Sequence, residues 1–295
     1  MGMPSLIAAL RPLASRSPTL SRLYRQLRDE RLLRRSPVPT PLGFKFTGSK
    51  QMEAGLFEPA ETRLVASLAP RFSTLINVGA NVGYYCCLAL QAGARVVAFE
   101  PMPVNQRALY RNIRANGWAD RFECYPVALS DSTGLMDIYG SGTGASLIAG
   151  WSGQTYSTTV PVSTLDTVLG DRFDNEPRLI IVDVEGAELG VLKGAQASLA
   201  ATVRPVWLIE IEMMSHQPMG SRYNPDLIKV FELFHEFGYA ALSATLTPKR
   251  VTLDDVHGAL KSGVRTFGTN NFLFVEVSRL DEIAAACGAG DSAPL

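Results

Sequence analysis

The chain has 295 residues, 46% of them apolar and 19% charged, with 28 Lys and Arg against 28 Asp and Glu. That length and apolar share suit one large α/β core with appendages better than two equal domains. The even charge balance excludes a general nucleic-acid binder and a strongly acidic tail, and no apolar run approaches the roughly 18 residues needed to cross a bilayer.

Charge is nevertheless uneven along the chain. Before Pro37 stand Arg11, Arg16, Arg22, Arg25, Arg28, Arg31, Arg34 and Arg35 against only Asp29 and Glu30, so a basic arm leads into a mildly acidic body. The Arg- and Ser-rich opening is too broken for a secretory signal. It fits an organellar transit peptide, an amphipathic helix lying on a membrane surface or a partner, or a plain solvated helix. Its first residues approach the myristoylation pattern, but Leu6 stands where Ser or Thr is required. Ser36 to Gly48 carries Pro37, Pro39 and Pro41 and reads as a linker, since proline opposes regular strand pairing. The expected organisation is a basic helical arm with a Pro-rich linker over 1–48, the main domain over 49–280 and a frayed tail over 281–295.

In the body, Glu58 to Pro70 has helical spacing, with Pro59 in the first turn and Pro70 as a stop. Strand-like runs follow at Leu75–Val78, Arg95–Phe99, Phe122–Val127, Leu179–Val182 and Val206–Ile211. Helical stretches lie between most of them, as at Asn105–Asn116 and Glu188–Leu199. This alternation predicts a mostly parallel sheet with crossover helices on both faces. Gly134 to Val162 breaks the rhythm and reads as an inserted β-hairpin around a Gly/Ser-rich loop. Asp226–Phe237 is an amphipathic helix with Phe231, Phe234 and Phe237 on one face and His235 among them, and Tyr239–Ser243 and Asn271–Val277 close the sheet. Cys86, Cys87, Cys124 and Cys287 have neither CxxC spacing nor histidine partners, a pattern of packed free thiols in a reducing compartment, so a cytoplasmic location is expected.

The turn "INVGANVGYY", Ile76 to Tyr85, ends a strand in a Gly-x-Asn-x-Gly sequence. In a dinucleotide-binding turn the middle glycine lets the backbone approach a pyrophosphate; here Asn81 would crowd two phosphates, and its amide suits a ligand carrying a carboxylate and an amine. No Gly-Lys-Ser/Thr follows, so the phosphate-cradling P-loop pattern of nucleoside triphosphatases is absent. Glu100 ends the second strand about twenty residues on, where an acid can accept both hydroxyls of an adenosyl ribose. Turn and acid together describe an adenosyl ligand lying across the strand ends, and the Asn81 amide favours S-adenosylmethionine among these. Asp183 closes the fourth strand and Glu185 lies just beyond it, both directed at the crevice outside the strand ends, although Glu185 or Glu188 can equally cap the following helix. Glu210 and Glu212 stand on and after the fifth strand, with His216 in the loop beyond.

The strings "NVGANVGYYCCLAL", "VVAFEPMPVNQRALYRNIRANG", "VALSDSTG", "GASLI", "VSTLDTVL", "DVEGAELGVLKGA" and "LIEIE", in this order, resemble the FkbM family of S-adenosylmethionine-dependent methyltransferases over roughly Glu58 to Glu212. The resemblance implies a class I, Rossmann-like sheet of seven strands with the last antiparallel, and methyl transfer to an oxygen of a sugar, glycan or secondary metabolite. By the same resemblance Asn77, Gly79, Asn81 and Gly83 shape the methionine pocket, Glu100 with the adjoining Pro101 holds the ribose, and Asp183 and Glu185 line the reaction centre. Two positions depart from the family pattern, which usually has an acid at Asn77 and a lysine at Ile181. The candidate bases are Asp183 and His216. No His or Cys set supports a metal. The alternatives are N-methylation of a small amine and a non-catalytic cofactor-binding scaffold whose basic arm engages a membrane or a partner.

Overall fold

The computed structural model describes residues 18–154, 156–245 and 247–288. The first half of the expected arm, 1–17, and the tail residues 289–295 lie outside the described residues. The chain opens with helix α1 (Pro18–Arg34), followed by a short ribbon of β1 (Val38–Pro39) paired antiparallel with β2 (Lys45–Phe46). The segment read as a linker is therefore built into the body. Its two-residue strands tolerate Pro39, and Phe44 and Phe46 are buried in an edge-to-face cluster with Tyr84, an apolar gain that outweighs the prolines' lost hydrogen bonds. Helix α2 (Lys50–Glu53) and helix α3 (Pro59–Leu68) then lead to the first central strand.

Strand β3 (Thr74–Val78) has all five residues buried, as a Leu/Ile/Val run covered on both faces requires. Helix α4 (Tyr84–Gln91), β4 (Arg95–Phe99), helix α5 (Pro103–Ala115) and β5 (Phe122–Tyr125) continue the alternation. The chain then leaves the main sheet for β6 (Ala128–Leu129), β7 (Gly134–Tyr139) and β8 (Ser157–Ser163). The inserted hairpin is present as β7 and β8, but β6 pairs parallel with β8 and makes it a three-stranded sheet. Two residues are too short a run to announce a strand by pattern. Helix α6 (Leu165–Leu169) returns the chain to β9 (Arg178–Val182).

The single helix expected over Glu188–Leu199 is two, α7 (Glu188–Lys193) and α8 (Gln196–Ala200). The break falls at Gly194, where a Cβ would sit 2.1 Å from the Ser130 carbonyl oxygen. Strand β10 (Val206–Glu210), helix α9 (Leu227–Glu236), β11 (Tyr239–Ser243), β12 (Arg250–Val251), helix α10 (Leu253–Ser262), β13 (Asn271–Glu276) and helix α11 (Leu280–Gly288) complete the fold. On α9, Phe231 and Phe234 pack against Phe272 and Phe274, with Phe234 and Phe274 stacked at 3.8 Å. Burying each ring contributes about 2 kcal/mol. His235 is exposed, not among these rings, because one helical step of roughly 100° past Phe234 turns it to solvent.

The main sheet runs β12-β11-β13-β10-β9-β3-β4-β5. From β5 to β10 neighbours are parallel, and β13 enters antiparallel between β10 and β11. The expected seven strands are present, and a two-residue edge strand, β12, makes eight. It forms because the chain folds back after β11 through Ser243 N–H to Lys249 C=O at 2.8 Å before α10 begins. One apolar core lies on each face of this sheet. The inserted sheet has a small core of its own around Met102, Ile138 and Val160, which roofs the carboxyl ends of β4 and β5. No described helix is long and apolar enough to cross a membrane.

Candidate active site

Where β3 ends, the chain turns through Gly79 (φ +81°), Asn81 (φ +52°) and Gly83 (φ +87°) before α4 begins. At Gly79 the requirement is absolute: a Cβ would lie 1.9 Å from the Asp183 carbonyl oxygen, so only glycine lets the turn meet the end of β9. The result is a cavity of about 510 Å³ at the strand ends, lined among others by Gly79, Glu100, Met102, Leu129, Ile138 and Asp183.

Glu100 is buried at 4% exposure and held from three sides. Its Oε2 accepts the Asn81 N–H at 2.7 Å, and its Oε1 accepts the Met102 N–H at 2.8 Å and the Asn105 Nδ2 at 3.2 Å. Burial still dominates and pushes its pKa up to about 7. The Asn81 side-chain oxygen is buried without a hydrogen-bond partner among the described residues. A buried acceptor on a cavity wall is costly unless a ligand donor meets it.

Asp183 also lines a second cavity, of about 280 Å³, with Trp151, Glu185, Glu188, Glu210, Glu212 and His216. Glu185 is fixed at φ +56°: its Oε2 accepts the Trp151 Nε1–H at 2.8 Å and its carbonyl accepts the Ser146 hydroxyl at 2.6 Å. Gly186 follows because any side chain there would strike the Trp151 ring at 2.5 Å. Burial raises the Asp183 pKa well above the ordinary range, and the charges of Glu210, Glu185, Glu58 and Glu188 raise it further. Burial pushes Glu188 up to about 8 despite the Gly186 N–H it accepts. It takes Glu210 to about 7 with help from Glu58 and Glu185, its hydrogen bond with Asp183 pulling the other way. Asp183 and Glu210 thus interact directly, both held above the ordinary carboxylate range by burial.

Backbone strain marks the same place. The non-glycine residues with positive φ among the described residues are Glu58, Asn81, Ser152, Glu185 and His216. Four line or charge the two cavities, and the fifth, Ser152, donates its N–H to the His216 carbonyl at 2.7 Å. Such conformations cost roughly 1–3 kcal/mol each and persist where surrounding structure enforces them.

The methyltransferase FkbM domain model matches residues 77–240, more than half of the chain. The chain belongs to the FkbM methyltransferase family. Hexuronic acid methyltransferase AglP of Haloferax volcanii is 32% identical over 143 residues, a match covering 46% of this chain and 56% of AglP. The chain therefore spans little more than half the length of that relative. Among solved structures, methyltransferase FkbM from Methylobacillus flagellatus aligns at 17% identity with a TM-score of 0.43, covering 91% of this chain and 58% of that one. Precorrin-6y C5,15-methyltransferase from Geobacter metallireducens aligns at 12% identity with a TM-score of 0.38, covering 66% and 78%.

In this FkbM-family chain, Gly79, Asn81, Glu100, Pro101 and Asp183 meet in the first cavity, and Asp183, Glu185 and His216 in the second. Asn77 and Gly83 line neither. Asn77 is buried with its Nδ2 directed at Cys86 Sγ, 3.4 Å away, and Gly83 serves α4–α5 packing, since a Cβ there would meet Leu109 at 2.1 Å. Ile181 is buried in the core beneath the sheet. Three participants escaped sequence reading. Tyr85 donates to Glu58, whose charge reaches Asp183 and Glu210, and Trp151 fixes Glu185. The available signals were the Glu-Pro opening of α3 and a lone tryptophan in a Gly/Ser-rich loop, neither of which states a role.

Proposed function

We propose that the enzyme transfers a methyl group from S-adenosylmethionine to a hydroxyl of a sugar. Asp183, common to the two cavities, carries this reading, because it puts a proton-accepting group at the boundary between a donor pocket and an acceptor pocket. The sulfonium of the bound donor supplies an electrophilic methyl group. Glu100, its carboxylate already oriented by the Asn81 and Met102 N–H groups and the Asn105 amide, offers its remaining lone pair, on Oε2, to a ribose hydroxyl. The unpartnered Asn81 oxygen suits the donor's ammonium group, and the apolar wall of Met102, Leu129 and Ile138 suits the adenine. The carboxylates around Asp183 favour a cation beside them, and the Asp183–Glu210 pair takes up the proton that the acceptor hydroxyl loses. Holding the two reactants in register is the larger part of the work. The name of the relative AglP supports a sugar-acid acceptor.

Incubation with methyl-labelled S-adenosylmethionine and a panel of neutral and uronic-acid glycans tests the proposal. Label should enter a glycan in an alkali-stable ether. Label entering only amines, or a donor that binds without turnover on any acceptor, would replace it.

A further inference from the structure

A third cavity adjoins the donor pocket and takes no part in the chemistry above. It is a cleft of about 860 Å³ between α1 and the body, and it shares Asn81, Asn105 and Gly142 with the donor pocket. Its outer wall is cationic, with Arg28, Arg31 and Arg35. The wall is anchored, because Arg111 of α5 donates to the carbonyls of Leu33 and Arg35 at the end of α1. Arg25 lies 3.9 Å over the Tyr156 ring, and Arg28 donates to Ser141 at 3.4 Å, tying α1 to the inserted sheet.

Two of the three cations are partly neutralised: Arg28 pairs with Asp29 at 2.8 Å, and Arg35 with Glu53. Arg31 has no carboxylate partner among the described residues, and Arg28 keeps its Nη1 uncommitted there. Guanidinium groups in this state are matched to a carboxylate or phosphate.

The cleft also lies within reach of the reaction centre. A Cβ at Gly142 would be 3.4 Å from the Arg28 guanidinium, and one at Gly144 would be 3.9 Å from Glu185 Oε1. Two residues of chain bridge those points, so the basic cleft and the acid cavity are no more than roughly 17 Å apart. The donor pocket shares Asp183 with the acid cavity, and it shares Asn81, Asn105 and Gly142 with the arginine-lined cleft.

From this we infer that the cleft is an acceptor subsite that holds an anionic group, a carboxylate or phosphate of the sugar being methylated, with Arg31 as its principal contact and Arg28 as its neighbour. The inference rests on the sugar-acceptor reading and adds that the acceptor's charge is recognised away from the hydroxyl that reacts.

The test compares a uronic-acid glycan with the same glycan after reduction of its carboxyl to the alcohol. Wild type should prefer the acid form in kcat/KM, and Arg31→Gln should lower that preference about tenfold, chiefly through KM, with partial recovery in Arg31→Lys. An unchanged preference overturns the inference. So does an equal loss of donor affinity in Arg31→Gln by calorimetry, which would give the cleft to the donor's own carboxylate. If no sugar is methylated, the cleft is still read by titrating donor-loaded protein with sodium glucuronate and with glucose. Tighter binding of glucuronate that vanishes in Arg31→Gln upholds the anion subsite although the sugar reading has failed, and equal binding of the two refutes it.

Discussion

The donor pocket and the acid cavity meet at Asp183 but are built in opposite ways. The donor pocket is shaped by backbone: a glycine turn against the end of β9, and Glu100 held by main-chain N–H groups of its own and the adjacent strand end. The acid cavity is assembled from side chains on widely separated segments, with Trp151 of the insertion fixing Glu185 after β9, Glu210 ending β10 and His216 arriving in the loop after it. A backbone-built wall tolerates no added atom, whereas a side-chain-built wall can be dismantled one contact at a time. In the proposed reaction the first holds the donor and the second the acceptor.

The contrast can be broken most violently at Gly79. Gly79→Ala should destabilise the fold by on the order of 4 kcal/mol, because the methyl group overlaps a backbone carbonyl that cannot yield. A denaturant midpoint close to wild type would remove the claim that the turn is backbone-limited. On the other side, Trp151→Ala should cost about 3 kcal/mol for a ring buried at 2% exposure. Trp151→Phe should recover most of that stability while leaving kcat low, since the phenyl ring cannot hold Glu185.

Glu100→Ala should weaken donor binding about a hundredfold by calorimetry, since it removes a carboxylate held by three donors. Asp183→Asn should lower kcat on the order of a hundredfold. His216, exposed at the rim beside Trp151, should tolerate alanine with less than about a threefold change in kcat, separating the two candidate bases.

The smallest effect concerns pH. Glu188 and Glu210 rise from an ordinary 4.5 to about 8 and about 7, and Asp183 is raised as well. The folded chain therefore binds more protons than the unfolded chain between about pH 4.5 and 8. Their contribution to stability is complete below the unfolded value and is lost as pH rises through the folded one. Thermal unfolding of the ligand-free enzyme should show Tm falling across that window, less steeply in Glu188→Gln. A rising Tm would mean that these carboxylates are ionised in the folded state.

Much of the donor side was legible because its determinants are local. Gly79, Asn81 and Glu100 sit within about one βαβ unit, where strand ends and a glycine turn dictate the position of everything between them. The misreadings have different causes. Asn77 faces Cys86 and not the cavity. The proline-rich segment is held by Phe44 and Phe46 against Tyr84. His235 turned outward, and β6 and β12 are too short for any periodicity to reveal.

Residue order alone established an alternating α/β chain and a parallel sheet, and placed a glycine turn and an acid at one cavity, because apolar periodicity and glycine placement act over a few residues. The gathering of Glu58, Tyr85, Trp151, Asp183 and Glu210 about one acid cavity, and the swing of α1's arginines onto the flank of the proposed donor pocket, came with folding. Such contacts join segments about 30 to 150 positions apart, and at that separation electrostatics and packing depend on three-dimensional distance that no local pattern encodes.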